Sequence, residues 1–138
     1  MTEEPMQKNK CTEVKNTNKQ LHASGEDYLE AILLIQKEKG EVRSVEVSRR
    51  LKVSKASVTH AVHVLIKGGF LEKDYEGFLR LTEIGREAAV QIYERHCFFR
   101  ERLLEAGVDP NTAEQEACRM EHTISEESFQ KLKAMMEK

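Results

Sequence analysis

From Ser24 onward, apolar and polar positions alternate in a helical rhythm. In SGEDYLEAILLIQKEKG, Tyr28, Leu29, Ile32, Leu33 and Ile35 share one helix face. Ser24 is placed to cap and Gly40 to stop, which predicts a first helix over about 25–39. The next apolar set, Val45, Val47 and Leu51 in SVEVSRRL, predicts a short amphipathic helix. In KVSKASVTHAVHVLIKGG, Ser54 can cap a helix that buries Val58, Val62, Leu65 and Ile66, and Gly68-Gly69 ends it. Two short helices joined by a tight turn, the second opening with small polar residues, read as a helix-turn-helix.

The period then shifts. Phe70 and Leu71 open a strand, DYEG has turn chemistry, and Phe78, Leu79 and Leu81 return. A hairpin directly behind a recognition helix is the wing of a winged helix. Thr82 caps a long helix that ends at Gly107, and Asp109-Pro110 opens another that runs to about Thr123. Ser125 begins a last helix over about 126–137. The pattern predicts a mainly α chain with a small β wing, divided into a winged-helix DNA-binding domain (23–90) and a helical domain (91–138).

Composition narrows the choice of partner. Two prolines in 138 residues suit a helical protein, and a formal charge of −2 excludes a chain that holds nucleic acid by overall charge. Any DNA contact must come from a local patch. Three cysteines, Cys11, Cys97 and Cys118, make no disulfide framework, and with no secretion signal they suit a reducing cytoplasm. No apolar run approaches the roughly 20 residues of a membrane span. Residues 1–22 are polar, with Lys8, Lys10, Lys15 and Lys19, and read as a flexible arm able to follow phosphates or simply to keep the chain soluble.

The candidate chemistry lies in two places. Ser54, Lys55, Ala56, Ser57, Thr59 and His60 open the recognition helix. Hydroxyls and backbone N–H groups bind phosphate, Lys55 adds charge, and Ala56 or the Thr59 methyl suits a thymine methyl. The plainer reading is a solvated face of a protein-binding winged helix. The second place is EACRMEH. At about 100° per residue, Glu121 and His122 fall within about 60° of Cys118, so all three point into one sector. Alone this is a weak signal, since a helix cysteine more often packs. Asp27 and Glu30 on the first helix and His96 on the long helix change the weight. The six supply carboxylate, imidazole and thiolate from three helices, as an octahedral transition-metal site requires. Carboxylates favour Mn2+ or Fe2+, while the thiolate pulls toward iron, Co2+ or Zn2+. Cys97 points about 100° away from His96 and reads as packing.

EDYLEAI, the winged helix, YERHCFF and EACRMEH occur in the order seen in the diphtheria-toxin-repressor-like family of metal-dependent regulators, which the chain resembles over about 24–137. The resemblance implies a homodimer whose last helices form the dimerisation part. It also implies a metal-activated repressor of metal homeostasis on a pseudo-palindromic double-stranded operator. By position, Asp27 and Glu30 look like the first-helix ligands of the short manganese-responsive branch. His96 looks like the long-helix histidine of both branches, and Cys118, Glu121 and His122 look like the motif near the dimer interface. Two departures stand out. Cys118 is iron-like where the manganese branch has Glu. Arg100 stands where the iron branch has a carboxylate ligand, which puts its ancillary site in doubt, while Glu114, at the place of a histidine ligand of that site, is able partly to compensate. The iron branch's C-terminal SH3-like domain is expected to be absent.

Other readings remain. A winged-helix regulator of a non-metal ligand leaves the six residues unexplained. A protein-interaction winged helix would not bind DNA. An enzyme would lack oxyanion donors and a base, and would have no use for the winged helix.

Overall fold

A computed structural model describes residues 18–137 and their side chains from residue 25 onward. Residues 1–17 of the predicted arm (1–22) lie outside the described residues, and residues 18–22 are helical where the sequence predicts an arm. The chain divides into two compact units, residues 1–87 and 88–138.

The first unit opens with α1 (Asn18–Lys39), which starts earlier than the Ser24 cap predicts. Lys19, Gln20, Leu21 and Ala23 are good helix formers, and Gly25 within the helix costs only about 1 kcal/mol relative to Ala. Tyr28, Leu29, Ile32, Leu33 and Ile35 are all buried, as their spacing requires. A tight connection leads to α2 (Ser44–Leu51), where the Glu46 carboxylate accepts the Arg43 backbone N–H at 2.9 Å. Lys52 then takes a left-handed conformation (φ 59°), making the turn into α3 (Lys55–Lys67).

Ser54 caps α3 as expected, accepting the Ser57 N–H at 3.1 Å. Its buried face is Val58, Ala61, Val62 and Leu65. Ile66, predicted to be buried, is 38% exposed. Ala61 lies four residues before Leu65 and three after Val58, so it holds the inward stripe that Ile66 leaves.

The wing is the antiparallel pair β1 (Leu71–Lys73) and β2 (Leu79–Leu81), with Leu71 opposite Leu81 and Lys73 opposite Leu79. Phe70 lies just before the first strand. Asp74 Oδ1 accepts the N–H groups of Glu76 and Phe78, both at 2.9 Å, and Gly77 supplies the positive φ that closes the turn. Leu79 also bridges Val42, tying the wing to the segment before α2.

Thr82 caps α4 (Glu83–Glu105) through Gly85 N–H, and its hydroxyl donates to Gly69 O at 2.6 Å. Gly85 is where the start of α4 lies against the Phe70 backbone, and a Cβ there would overlap the Phe70 carbonyl.

The second unit contains the rest of α4, then α5 (Pro110–Met120) and α6 (Glu126–Met136). Asp109 caps α5 with Pro110 in its first turn, and Ser125 caps α6, both as predicted. Helix α5 ends at Met120 rather than near Thr123. Glu121 is its C-cap, still with helical φ and ψ, and it opens the turn that carries His122. Phe98 and Phe99 of α4, Ala117 of α5 and Phe129 of α6 form the core, with Ile124 packed against it. Phe98 meets both other rings edge-on, at 5.3 and 5.4 Å.

Candidate metal centre and nucleic-acid interface

In the second unit, α4 contributes the consecutive Arg95 and His96 and, one turn later, Arg100. Helix α5 contributes Glu114 and Cys118, then Glu121 as it ends. The expected trio does converge: ligand atoms of Cys118, Glu121 and His122 lie within 4.8 Å of one another. The helical φ and ψ at Glu121 preserve the angular relation that the 3.6-residue period predicts, although His122 has left the helix.

His96 joins them through Glu121, and both of its ring nitrogens face carboxylates. Nδ1 is 2.9 Å from Glu121 Oε1, and Nε2 is 2.8 Å from Glu114 Oε2. A neutral imidazole has one N–H, so it can donate to only one of them. Glu121 is completely buried, its Oε2 makes no hydrogen bond, and His122 Nε2 stands 3.3 Å from that oxygen. An ionised carboxylate in such a place is costly unless positive charge meets it. Thiolate, carboxylate and two imidazoles are the donor set of a divalent transition metal, so the residues fit such an ion.

A further residue, Arg95, carries no signal in the sequence. Its guanidinium donates to Glu121 O at 3.1 Å and Ile124 O at 2.8 Å, and to Glu126 Oε1 at 2.8 Å. It also lies over the Phe129 ring. These contacts hold the turn that presents Glu121 and His122. The same guanidinium, and then Gln130, hold the Glu126 carboxyl below its ordinary range.

Asp27 and Glu30 stand in the first unit, three residues apart on α1 and therefore neighbours on its surface. Glu30 is buried and Asp27 half-buried. Burial pushes the adjacent Tyr28 phenol up, and the Asp27 charge adds to the shift. Cys97 is half-buried on α4.

The residues expected to face nucleic acid lie in the first unit. Ser54, Lys55, Ala56, Ser57, Thr59 and His60 are all exposed at the start of α3, while Val58 between them is buried. The Ser54 hydroxyl also meets Ser57 Oγ at 3.0 Å, so the two hydroxyls are ordered together. At the wing, Tyr75 is 98% exposed at the tip and Arg80 is exposed on β2.

Comparison with known proteins matches both units. Residues 20–77 fit the family profile described as iron dependent repressor, N-terminal DNA binding domain. Residues 82–138 fit the iron dependent repressor, metal binding and dimerisation domain. An HTH-type transcriptional regulator of Methanocaldococcus jannaschii is 37% identical over 117 residues, which cover 82% of this chain and 92% of that protein. The transcriptional regulator MntR of Escherichia coli O157:H7 is 34% identical over 113 residues, covering 82% and 73%. Among solved structures, a manganese-dependent transcriptional repressor in complex with manganese superposes with a TM-score of 0.72 at 26% identity. The match covers 80% of this chain and 51% of that one. The chain spans about half the length of several of the solved structures it matches, that one included (51%), and 85% of one from Sulfolobus solfataricus.

Proposed function

The chain belongs to the iron-dependent repressor family of metal-dependent transcriptional repressors, the diphtheria-toxin-repressor-like group that its motifs resemble, and we propose that manganese or ferrous iron activates it. Its family and relatives are transcriptional regulators, not enzymes. In this reading a homodimer binds a pseudo-palindromic operator in the cytoplasm and represses genes of metal homeostasis.

The observation that carries the reading is Glu121, a completely buried carboxylate with one oxygen that makes no hydrogen bond, placed between two imidazoles. Cys118, Glu121, His122 and His96 hold the ion from the second unit, and Asp27 and Glu30 complete the ligand set from the first. Without a cation the carboxylates of Asp27, Glu30 and Glu121 repel one another. With one bound they are drawn together, and the winged helix is held at one angle to the dimer core. That angle spaces two recognition helices about 34–36 Å apart, one turn of DNA. Metal and DNA then tighten each other's binding. On the operator, Lys55 and the ordered hydroxyls of Ser54 and Ser57 take phosphate, while Ala56, Thr59 and His60 face the base edges.

The donor set is mixed. Asp27 and Glu30 favour manganese, whereas the Cys118 thiolate favours iron and would also accept Zn2+ or Co2+. Several metals therefore bind, and geometry decides which of them activates. The test is DNA binding to a palindromic operator library, with protein in chelator or with manganese, ferrous iron or zinc. Binding that requires metal supports the reading, and the most effective ion identifies the dominant half of the donor set. Equal binding in chelator overturns it.

A further inference from the structure

Around His96 the second unit prepares two places for positive charge, and they are built differently. On the Nδ1 side is Glu121, fully buried, facing His96 and His122 with one oxygen outside any hydrogen bond. On the Nε2 side is Glu114, whose side chain is 56% exposed. Its Oε2 meets His96 Nε2 at 2.8 Å, and its Oε1 meets Arg100 Nη1 at 3.6 Å. The protein thus supplies a cation of its own on one side of the imidazole. Arg100 follows His96 by one turn of α4, so the same helix that presents the ring also presents the guanidinium.

We propose that Arg100 is a specificity-determining residue: its guanidinium is a built-in cation that holds Glu114 and closes the Nε2 side of His96 to a divalent ion, leaving metal to bind on the Nδ1 side. A guanidinium is charged at every working pH and has no lone pair to give a metal, so it can oppose an ion but never ligate one. An ion bound by Nε2 and Glu114 would lie about 2 Å from each ligand atom and close to that fixed charge, and it would have to displace Arg100 from Glu114. Glu114 has a second task. When an ion is bound on the Nδ1 side, Glu114 accepts Nε2–H and leaves the Nδ1 lone pair for that ion. Carboxylates behind metal-binding histidines fix the tautomer in this way. Glu114 is therefore a positioning residue.

This inference rests on the metal-dependent reading above, and its test separates the two. Full-length wild type, R100M, R100K, E114Q and the R100M/E114Q double variant are dialysed against Mn2+, and bound metal per chain is measured. Arg100 is 34% exposed at its side chain, and Met keeps its length, so the variants are built to fold; circular dichroism checks this, and R100K keeps the charge as a control. The expected result is one additional ion per chain in R100M, held by Glu114 and His96 Nε2 once the ring proton has moved to Nδ1 and is accepted by Glu121, while Cys118, Glu121 and His122 keep the first ion. The added ion should bind at least tenfold more tightly than at the same place in wild type. R100K should match wild type, and R100M/E114Q should lose the extra ion. If R100M binds metal with wild-type stoichiometry, this inference fails alone. The same is true if E114Q lowers the stoichiometry of wild type by one ion. If wild type binds no ion, both readings fail together.

Discussion

The two units put their polar groups to opposite uses. The interior of the first is built from Leu29, Ile32, Leu33, Val42, Val47, Val58, Leu71 and Leu79, all buried. Its polar side chains work at the ends of elements, where Ser54, Asp74 and Thr82 satisfy backbone groups. The second unit has a small aromatic core and keeps His96 and Glu121 buried as well. Among the described residues of the first unit Glu30 is the buried polar exception, and it is itself a candidate ligand. A unit whose task is to present a helix can optimise packing. A unit whose task is to hold a cation must leave part of its interior unfavourable until the cation arrives.

Glu121→Gln breaks that contrast most strongly. It keeps the size of the side chain and removes the buried charge. Stability without metal should hold or rise, since replacing a poorly compensated buried charge is often neutral or favourable. Metal affinity should fall on the order of 100-fold or more, because even partners behind the ligands are worth about 10–100-fold. Thermal melts with and without Mn2+ read both effects. A loss of stability without metal, together with an intact metal response, would mean that the carboxylate is structural.

Gly85→Ala tests the other side of the comparison. The added Cβ has no space against the Phe70 carbonyl, which is backbone and cannot rotate away. Urea denaturation should show a loss of about 3 kcal/mol, the upper part of the range for overpacking. The damage belongs to the junction of wing and α4, so a variant as stable as wild type would show that this approach relaxes freely.

These two positions also show what the sequence makes legible. The caps at Ser54, Thr82, Asp109 and Ser125 could be read because each is a local hydrogen bond between a side chain and the next turn. The hydrophobic period located every helix, but it could not choose between Ala61 and Ile66, since either can continue a stripe through Val58, Val62 and Leu65. The convergence of Cys118, Glu121 and His122 followed from one local periodicity. The pairing of His96 with two carboxylates did not, because which ring nitrogen meets which residue depends on how α4 and the end of α5 come together. Arg95 was illegible for the same reason: its partners at 121, 124 and 126 are distant in sequence. Gly85 gave no sign of being a close approach, since a glycine in the first turn of a helix looks like an ordinary weak position.

Lys55→Ala sharpens the comparison with a smaller effect. Lys55 is exposed at the first position of α3 and makes no contribution to the core. As a phosphate contact it should weaken binding to all operator sequences alike. It should also reduce the slope of log affinity against log salt by about 0.9, the share of one phosphate. Metal binding should be unchanged. A change in sequence preference instead would place Lys55 on a base edge.

The smallest expected effect comes from the clamp beneath the proposed metal ligands. Arg95 holds the Glu126 carboxyl below its ordinary range, with Gln130 adding to the shift. A carboxyl that is more acidic in the folded state contributes stability above its unfolded pKa, and loses it as pH falls through the folded value. Glu126 is about half exposed (47%), so solvent screens the pair and its worth is about 0.5 kcal/mol, as for other surface ion pairs. Glu126→Gln should therefore lower stability slightly at neutral pH and converge with wild type in acid below the ordinary carboxylate range. The two remaining Arg95 bonds go to backbone carbonyls that do not titrate, so the turn carrying Glu121 and His122 should survive the change. Arg95→Met removes all three bonds at once. If it weakened metal binding no more than Glu126→Gln does, the turn would be held by its own backbone and not by the clamp.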